Sequence, residues 1–156
     1  MKVNKKLLII CLIIPLAVGG VAALITGGGM DAFESLNKPP FSPPGWLFLV
    51  AWTLLYLLMG AASYLALESR GPQQIIGKGI RLYALQLAFN FLWPIIFFKL
   101  EWYLFAFIWL LALWILILLA MLQFRRVSKA AFYLMLPYII WVSFAGYLNL
   151  GIYLLN

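Results

Sequence analysis

Five long apolar runs, at about 7–26, 46–67, 75–98, 103–124 and 130–155, take up most of the chain and leave only short connections between them. A helix rises 1.5 Å per residue, so about 20 apolar residues cross a hydrocarbon core of about 30 Å. Each run is of that length. None alternates apolar with polar residues as a barrel strand does, and a backbone in lipid must bond to itself, which leaves the α-helix. The expected fold is an all-α integral membrane protein, a five-transmembrane-helix bundle in a single transmembrane domain over 1–156, with an external loop at 27–45. With 67% hydrophobic and 10% charged residues among 156, no separate water-soluble domain fits.

The charges that remain read as topology. Lys2, Lys5, Lys6, Arg70, Lys78, Arg81, Arg125, Arg126 and Lys129 fall on the N-terminal side of a five-span arrangement, against Lys38 and Lys99 on the other. Nine of the eleven basic residues therefore predict a multi-pass protein with its N-terminus in, its C-terminus out and the 27–45 loop outside. Basic Met1–Lys6 ahead of an apolar stretch resembles a signal peptide, but the run reaches full spanning length and is read as a span. A formal charge of +7 suits anionic membrane lipid, and no basic patch interleaved with aromatics lies outside the spans, so no nucleic-acid partner is expected.

Several chemistries are excluded. Cys11 is the one cysteine and lies in a span, so no intrachain disulfide forms. Without histidine there is no imidazole metal site and no axial histidine for haem iron; no metal is expected. Asp31, Glu34, Glu68 and Glu101 sit in loops or at span ends, and a proton-coupled exporter needs a carboxylate in mid-membrane. No grouping of nucleophile, base and orienting residue is present either, so catalytic residues are not assigned.

What remains is a pocket of aromatics and neutral amides. Gln86, Asn90 and Trp93 recur at i, i+4 and i+7 on one face of the third span. An amide in lipid is costly unless paired, so the stripe should face the bundle interior; helix-to-helix hydrogen bonding and ligand contact both stand open. Phe48, Trp52 and Tyr56 line one face of the second span, and Tyr138, Trp141, Ala145 and Asn149 one face of the fifth. Trp46, Trp102 and Trp93 lie near span ends, where interfacial belts form, whereas Trp52 and Trp141 lie deeper, where an indole N–H needs a partner. Pro94 is expected to kink the third span.

NKPPFSPPGW, at 37–46, holds four prolines in eight residues. Residues before proline are pushed out of the α region, so Lys38, Pro39, Ser42 and Pro43 should favour extended or polyproline conformations, stiffening the segment. With Phe33, Leu36 and Phe41 it could form an apolar cover over the open end of the bundle.

LNKPPFSPPGWLFLVAWTLLY at 36–56, LYALQLAFNFLWPIIFF at 82–98 and RVSKAAFYLMLPYIIWVSFAGYLNLGIYLLN at 126–156 together resemble the tryptophan-rich sensory and translocator proteins, the TspO/MBR family that includes the peripheral benzodiazepine receptors. The resemblance implies a five-helix bundle, commonly a homodimer, whose ligand cavity is closed by the first loop. Family members bind porphyrins, and some bind sterols and aromatic drugs. It further implies cavity residues Trp52, Asn90, Trp93, Trp141 and Ala145, and a lid of Pro39, Pro40, Pro43 and Pro44 flanked by Phe33, Lys38 and Phe41.

Three departures are visible. A Trp-Tyr pair common in the first loop is Ala32-Phe33 here, an acidic residue near the start of the fourth helix is replaced by Trp109, and Tyr153 is not followed by the basic residue of the proposed sterol motif. The last departure, with the family pattern, points to a bacterial cell membrane.

Three functions are therefore expected in order. The first is a membrane receptor for porphyrins and related flat hydrophobic ligands, with protoporphyrin IX as ligand, no obligatory cofactor, and a role in tetrapyrrole homeostasis or stress sensing. Trp52, Tyr56, Gln86, Asn90, Trp93, Tyr138, Trp141, Ala145 and Asn149 would form its site. The second is light-driven or oxidative porphyrin degradation with Trp52 or Trp141 as electron donor. The third is a regulatory scaffold.

Overall fold

The computed structural model describes residues 2–27 and 29–156. Helix α1 spans Lys5–Thr26, a short α2 Gly29–Glu34, α3 Gly45–Leu67, α4 Gln73–Pro94, α5 Tyr103–Val127 and α6 Lys129–Leu155. Five of these are long and apolar enough to cross a membrane, α4 counting to Lys99. The fold is the five-helix membrane bundle that the sequence predicts.

Local chemistry sets the helix ends. The Asn4 side chain caps α1 by accepting from the Leu7 N–H at 3.1 Å, and Gly27, at φ 53°, ends it in a conformation that a side chain would strain. Ser128 separates α5 from α6 and caps the latter through the Ala131 N–H at 3.2 Å, so the two helices are tightly antiparallel. Pro94, with no N–H to give, does more than kink its span. Beyond it the helix widens into a π-helical turn over Ile95–Lys99.

In cross-section α1 packs on α3, α3 on α6, α6 on α5, α5 on α4, and α4 returns to α1. The end of this ring nearest the chain's N-terminus is filled by Met59, Met121, Phe124 and Met135, all essentially inaccessible. A second apolar cluster, Phe33, Ile96, Phe97, Ala106 and Ile152, closes the opposite end. The residues turned outward, such as Ile9, Ile13, Leu54, Ile108, Ile115 and Ile140, are as apolar as those inside, which suits a hydrocarbon solvent.

The 27–45 loop carries a short helix ahead of its proline stretch. It begins with α2, whose Phe33 is 4% exposed and packs edge-on against Phe48 at 5.4 Å. The Lys38 ammonium donates to the Phe33 and Glu34 carbonyls at 3.2 and 2.8 Å, capping α2, and lies 5.0 Å from the Phe33 ring centroid. Pro39 is buried on α6, where a side chain at Gly151 would come within 2.6 Å of its ring. The chain then reverses through Pro40 and Phe41. Phe41, expected as part of the cover, is 89% exposed: its φ of 68° turns the side chain outward while Ser42 Oγ donates back to the Pro39 carbonyl at 2.7 Å. Pro44 precedes α3 with extended φ −67° and ψ 156°.

Candidate ligand cavity

Between the two apolar clusters lies a cavity of about 530 Å³. Trp52 and Tyr56 of α3, Asn90 and Trp93 of α4, and Ala145 and Asn149 of α6 all line it, together with Phe33 of α2. Helical spacing explains their meeting: each pair is three or four residues apart on a face turned inward. Leu110, Leu113, Leu148 and Phe97 supply apolar wall that the sequence reading passed over, because leucines in a leucine-rich span carry no distinguishing signal.

Gln86, Tyr138 and Trp141 are brought close without being part of the lining. Gln86 and Tyr138 are wholly buried behind it, in a chain of hydrogen bonds. Tyr56 Oη donates to Asn90 Oδ1 at 2.8 Å, Asn90 Nδ2 donates to Tyr138 Oη at 2.8 Å, and Tyr138 Oη donates to Gln86 Oε1 at 2.6 Å. Three helices are tied by four side chains. With the amides oriented in this way, each hydroxyl gives its one proton to an amide oxygen, which only accepts. The chain ends at Gln86 Nε2, which is buried and has no partner among the described residues.

Two further indoles are fixed by polar contacts. Trp93 turns inward, away from any interfacial belt, and its Nε1 donates to Asn149 Oδ1 at 3.1 Å; Asn149 Nδ2 in turn donates to the Tyr103 carbonyl at 2.8 Å. Trp46 and Trp102 are 68% and 57% exposed, as belt residues are. Trp109 stacks on Phe89 with ring centroids 4.2 Å apart and donates to the Phe89 carbonyl at 2.9 Å. It thus joins α5 to α4 without any acid.

Trp141 stands behind Trp52. The two rings meet edge to face at 6.5 Å, and Trp141 also meets Phe48 at 5.9 Å. Its Nε1 is buried and unpartnered, against the expectation that a deep indole finds an acceptor. The rings of Phe48 and Trp52 on α3 and of Phe144 on α6 pack against it.

The cavity can hold a hydrophobic body against Trp52, Trp93 and Phe97 while Asn90, Asn149 and Tyr56 supply a narrow polar edge. Its volume falls within the roughly 300–1,000 Å³ usual for small-molecule sites.

A family model described as the TspO/MBR family matches residues 11–155. A tryptophan-rich protein TspO of Chlorobaculum tepidum is 39% identical over 156 residues, 98% of this chain and 99% of that protein. Another of that description, from Archaeoglobus fulgidus, is 38% identical over 154 residues, 98% of this chain and 99% of its own length. The translocator protein of Ovis aries is 38% identical over 128 residues, covering 80% of this chain and 75% of the relative.

Proposed function

The chain belongs to the TspO/MBR family of membrane proteins, and on that premise we propose that its cavity receives porphyrins and related flat hydrophobic ligands, protoporphyrin IX among them. The observation that carries this reading is the composition of the cavity wall. One face is aromatic and apolar, and the polar residues that line it are Asn90, Asn149, Tyr56, Thr26 and Thr53, with one acid, Glu34, at the lid edge. A flat ring with a few polar substituents fits such a wall, stacking on Trp52 and satisfying its edge at Asn90 and Asn149. The protein then acts as a receptor in tetrapyrrole homeostasis or stress sensing, in a bacterial cell membrane with the N-terminus inside, and as a homodimer.

The test is a titration of reconstituted protein with protoporphyrin IX, following tryptophan quenching and the porphyrin absorption band in the dark and then in light. Saturable quenching that weakens at least tenfold in Trp52→Phe/Asn90→Leu supports the site; an affinity unmoved by that change removes it. Degradation is a second reading, and the geometry favours Trp52 as the donor because it lines the cavity while Trp141 stands behind it. Loss of the absorption band only in light, abolished in Trp52→Phe, supports it; equal bleaching by empty membranes ends it.

A further inference from the structure

We infer that the cavity opens sideways into the membrane, through a seam between the lid-side halves of α1 and α3, and that a ligand enters there and not past the lid. The choice of probe rests on the proposed function; the seam does not.

The first observation is an asymmetry in the cavity wall. Every lining residue from α4, the π-helical turn, α5 and α6 is buried or half-buried. The exposed ones lie on α1 and α3, at Gly20, Ala23, Trp46, Leu49 and Thr53, with Glu34 at the lid edge. Wall residues that are both lining and exposed mark where the wall is incomplete.

The second is how the two helices meet. Toward the far end a side chain at Gly60 would stand 2.5 Å from the Cys11 carbonyl oxygen, so α1 and α3 touch backbone to backbone. At Gly20 a side chain would meet nothing within 4 Å. The helices thus meet backbone to backbone at Gly60 and only through the Tyr56 ring at Gly19, with open space beside it at Gly20. Gly20 lies six residues from the end of α1, about 9 Å along the axis, which puts the gap at hydrocarbon depth. Its threonines suit lipid: the Thr53 hydroxyl is returned to the Leu49 carbonyl of its own helix at 2.8 Å, and the Thr26 hydroxyl to the Ala23 carbonyl at 3.1 Å.

The third is that the lid is fastened. Besides Pro39 seated on Gly151, Tyr147 Oη donates to the Pro40 carbonyl at 2.8 Å, Asn156 Nδ2 to the Asn37 carbonyl at 2.8 Å, and the Asn37 N–H to Asn156 Oδ1 at 3.3 Å. Opening the lid breaks all of these and exposes Phe33. Passage through the seam breaks none.

The experiment is stopped-flow tryptophan quenching by protoporphyrin IX in phosphatidylcholine nanodiscs. Gly20→Phe, whose Cβ enters open space, should slow association and dissociation together by tenfold or more, and Ala23→Phe should do the same. A disulfide between Asn37→Cys and Asn156→Cys, in a Cys11→Ala background, should leave both rates within twofold of the reduced form. The inference is overturned if the disulfide slows entry and the phenylalanines do not. Should the wild type show no saturable quenching, the porphyrin reading fails by itself, and brominated phosphatidylcholine then decides the seam. Lipid bromine should quench Trp52, seen as the part of the signal lost in Trp52→Phe, and Gly20→Phe should remove that part. No Trp52 contribution in the wild type would close the seam.

Discussion

Asn90 and Gln86 sit one turn apart on the same face of α4, yet their removal should have unequal consequences. Asn90→Leu deletes two interhelical hydrogen bonds, from Tyr56 and to Tyr138, each 2.8 Å. At an average of about 0.6 kcal/mol for such bonds within membranes, that is about 1.2 kcal/mol. It also strands the Tyr56 hydroxyl proton, for which about 1 kcal/mol, the low end of the usual range, applies because Tyr56 faces the cavity. The total is about 2 kcal/mol. Gln86→Leu deletes one bond, from Tyr138, and strands that hydroxyl's proton, at about 2 to 3 kcal/mol together. It simultaneously removes the Gln86 amide nitrogen, already buried without a partner, which returns about 1–3 kcal/mol. At the midpoints of these ranges the net is about 0.5 kcal/mol. Unfolding equilibria measured by steric trapping in bicelles should therefore rank Asn90→Leu as the more damaging by at least about 1 kcal/mol, roughly fivefold in the unfolding constant. If Gln86→Leu is as costly as Asn90→Leu or more so, Gln86 Nε2 is partnered, and the reasoning that treats it as the stranded end of the chain is refuted.

Three more outcomes follow from the packing. Gly60→Ala should destabilise the protein by about 1–3 kcal/mol, because the fixed Cys11 carbonyl cannot yield, whereas Gly20→Ala should be neutral or stabilising; the same unfolding assay compares them. Gly151→Ala should lift Pro39 off α6 and raise amide exchange at Asn37 and Lys38, read by hydrogen–deuterium exchange, while leaving α3 to α5 protected. For topology, single cysteines at Ser69 and Ser42 in a Cys11→Ala background should label from opposite sides of the membrane, Ser42 from outside. Labelling of both from one face would contradict the span count, and Ser42 from inside would reverse the orientation drawn from the basic residues.

Much of the fold was legible because a membrane leaves few options. Run length dictates the five helices, and the 3.6-residue repeat brings Trp52, Tyr56, Asn90, Trp93, Ala145 and Asn149 to one cavity. The same repeat could not tell a lining residue from one a layer behind. Gln86 shares the Asn90 stripe and Tyr138 the Asn149 stripe, but α3, α4 and α6 converge away from the lid, so the deeper members of each stripe meet one another and leave no cavity there. Residues 37–44 carry no helix, as residues before proline dictate, whereas the short helix at 29–34 ahead of them was not legible. Four prolines announce rigidity; that Lys38 would fold back to cap a helix at 29–34 depends on a contact between a side chain and carbonyls that no periodicity encodes.

The two readings left open for the amides on α4 turn out not to compete. Asn90 spends its oxygen on Tyr56 and its nitrogen on Tyr138, and still lines the cavity. A carbonyl oxygen has a second lone pair and an amide nitrogen a second proton, so a ligand can bond to Asn90 without breaking the chain behind it. The Tyr56 ring, in turn, packs where a side chain at Gly19 of α1 would stand. The chain thus runs from α1's flank of the seam through Tyr56, Asn90 and Tyr138 to Gln86. A ligand that draws on Asn90 polarises bonds joining α3, α4 and α6 at once, and does so beside the flank of α1, where the bundle is least closed.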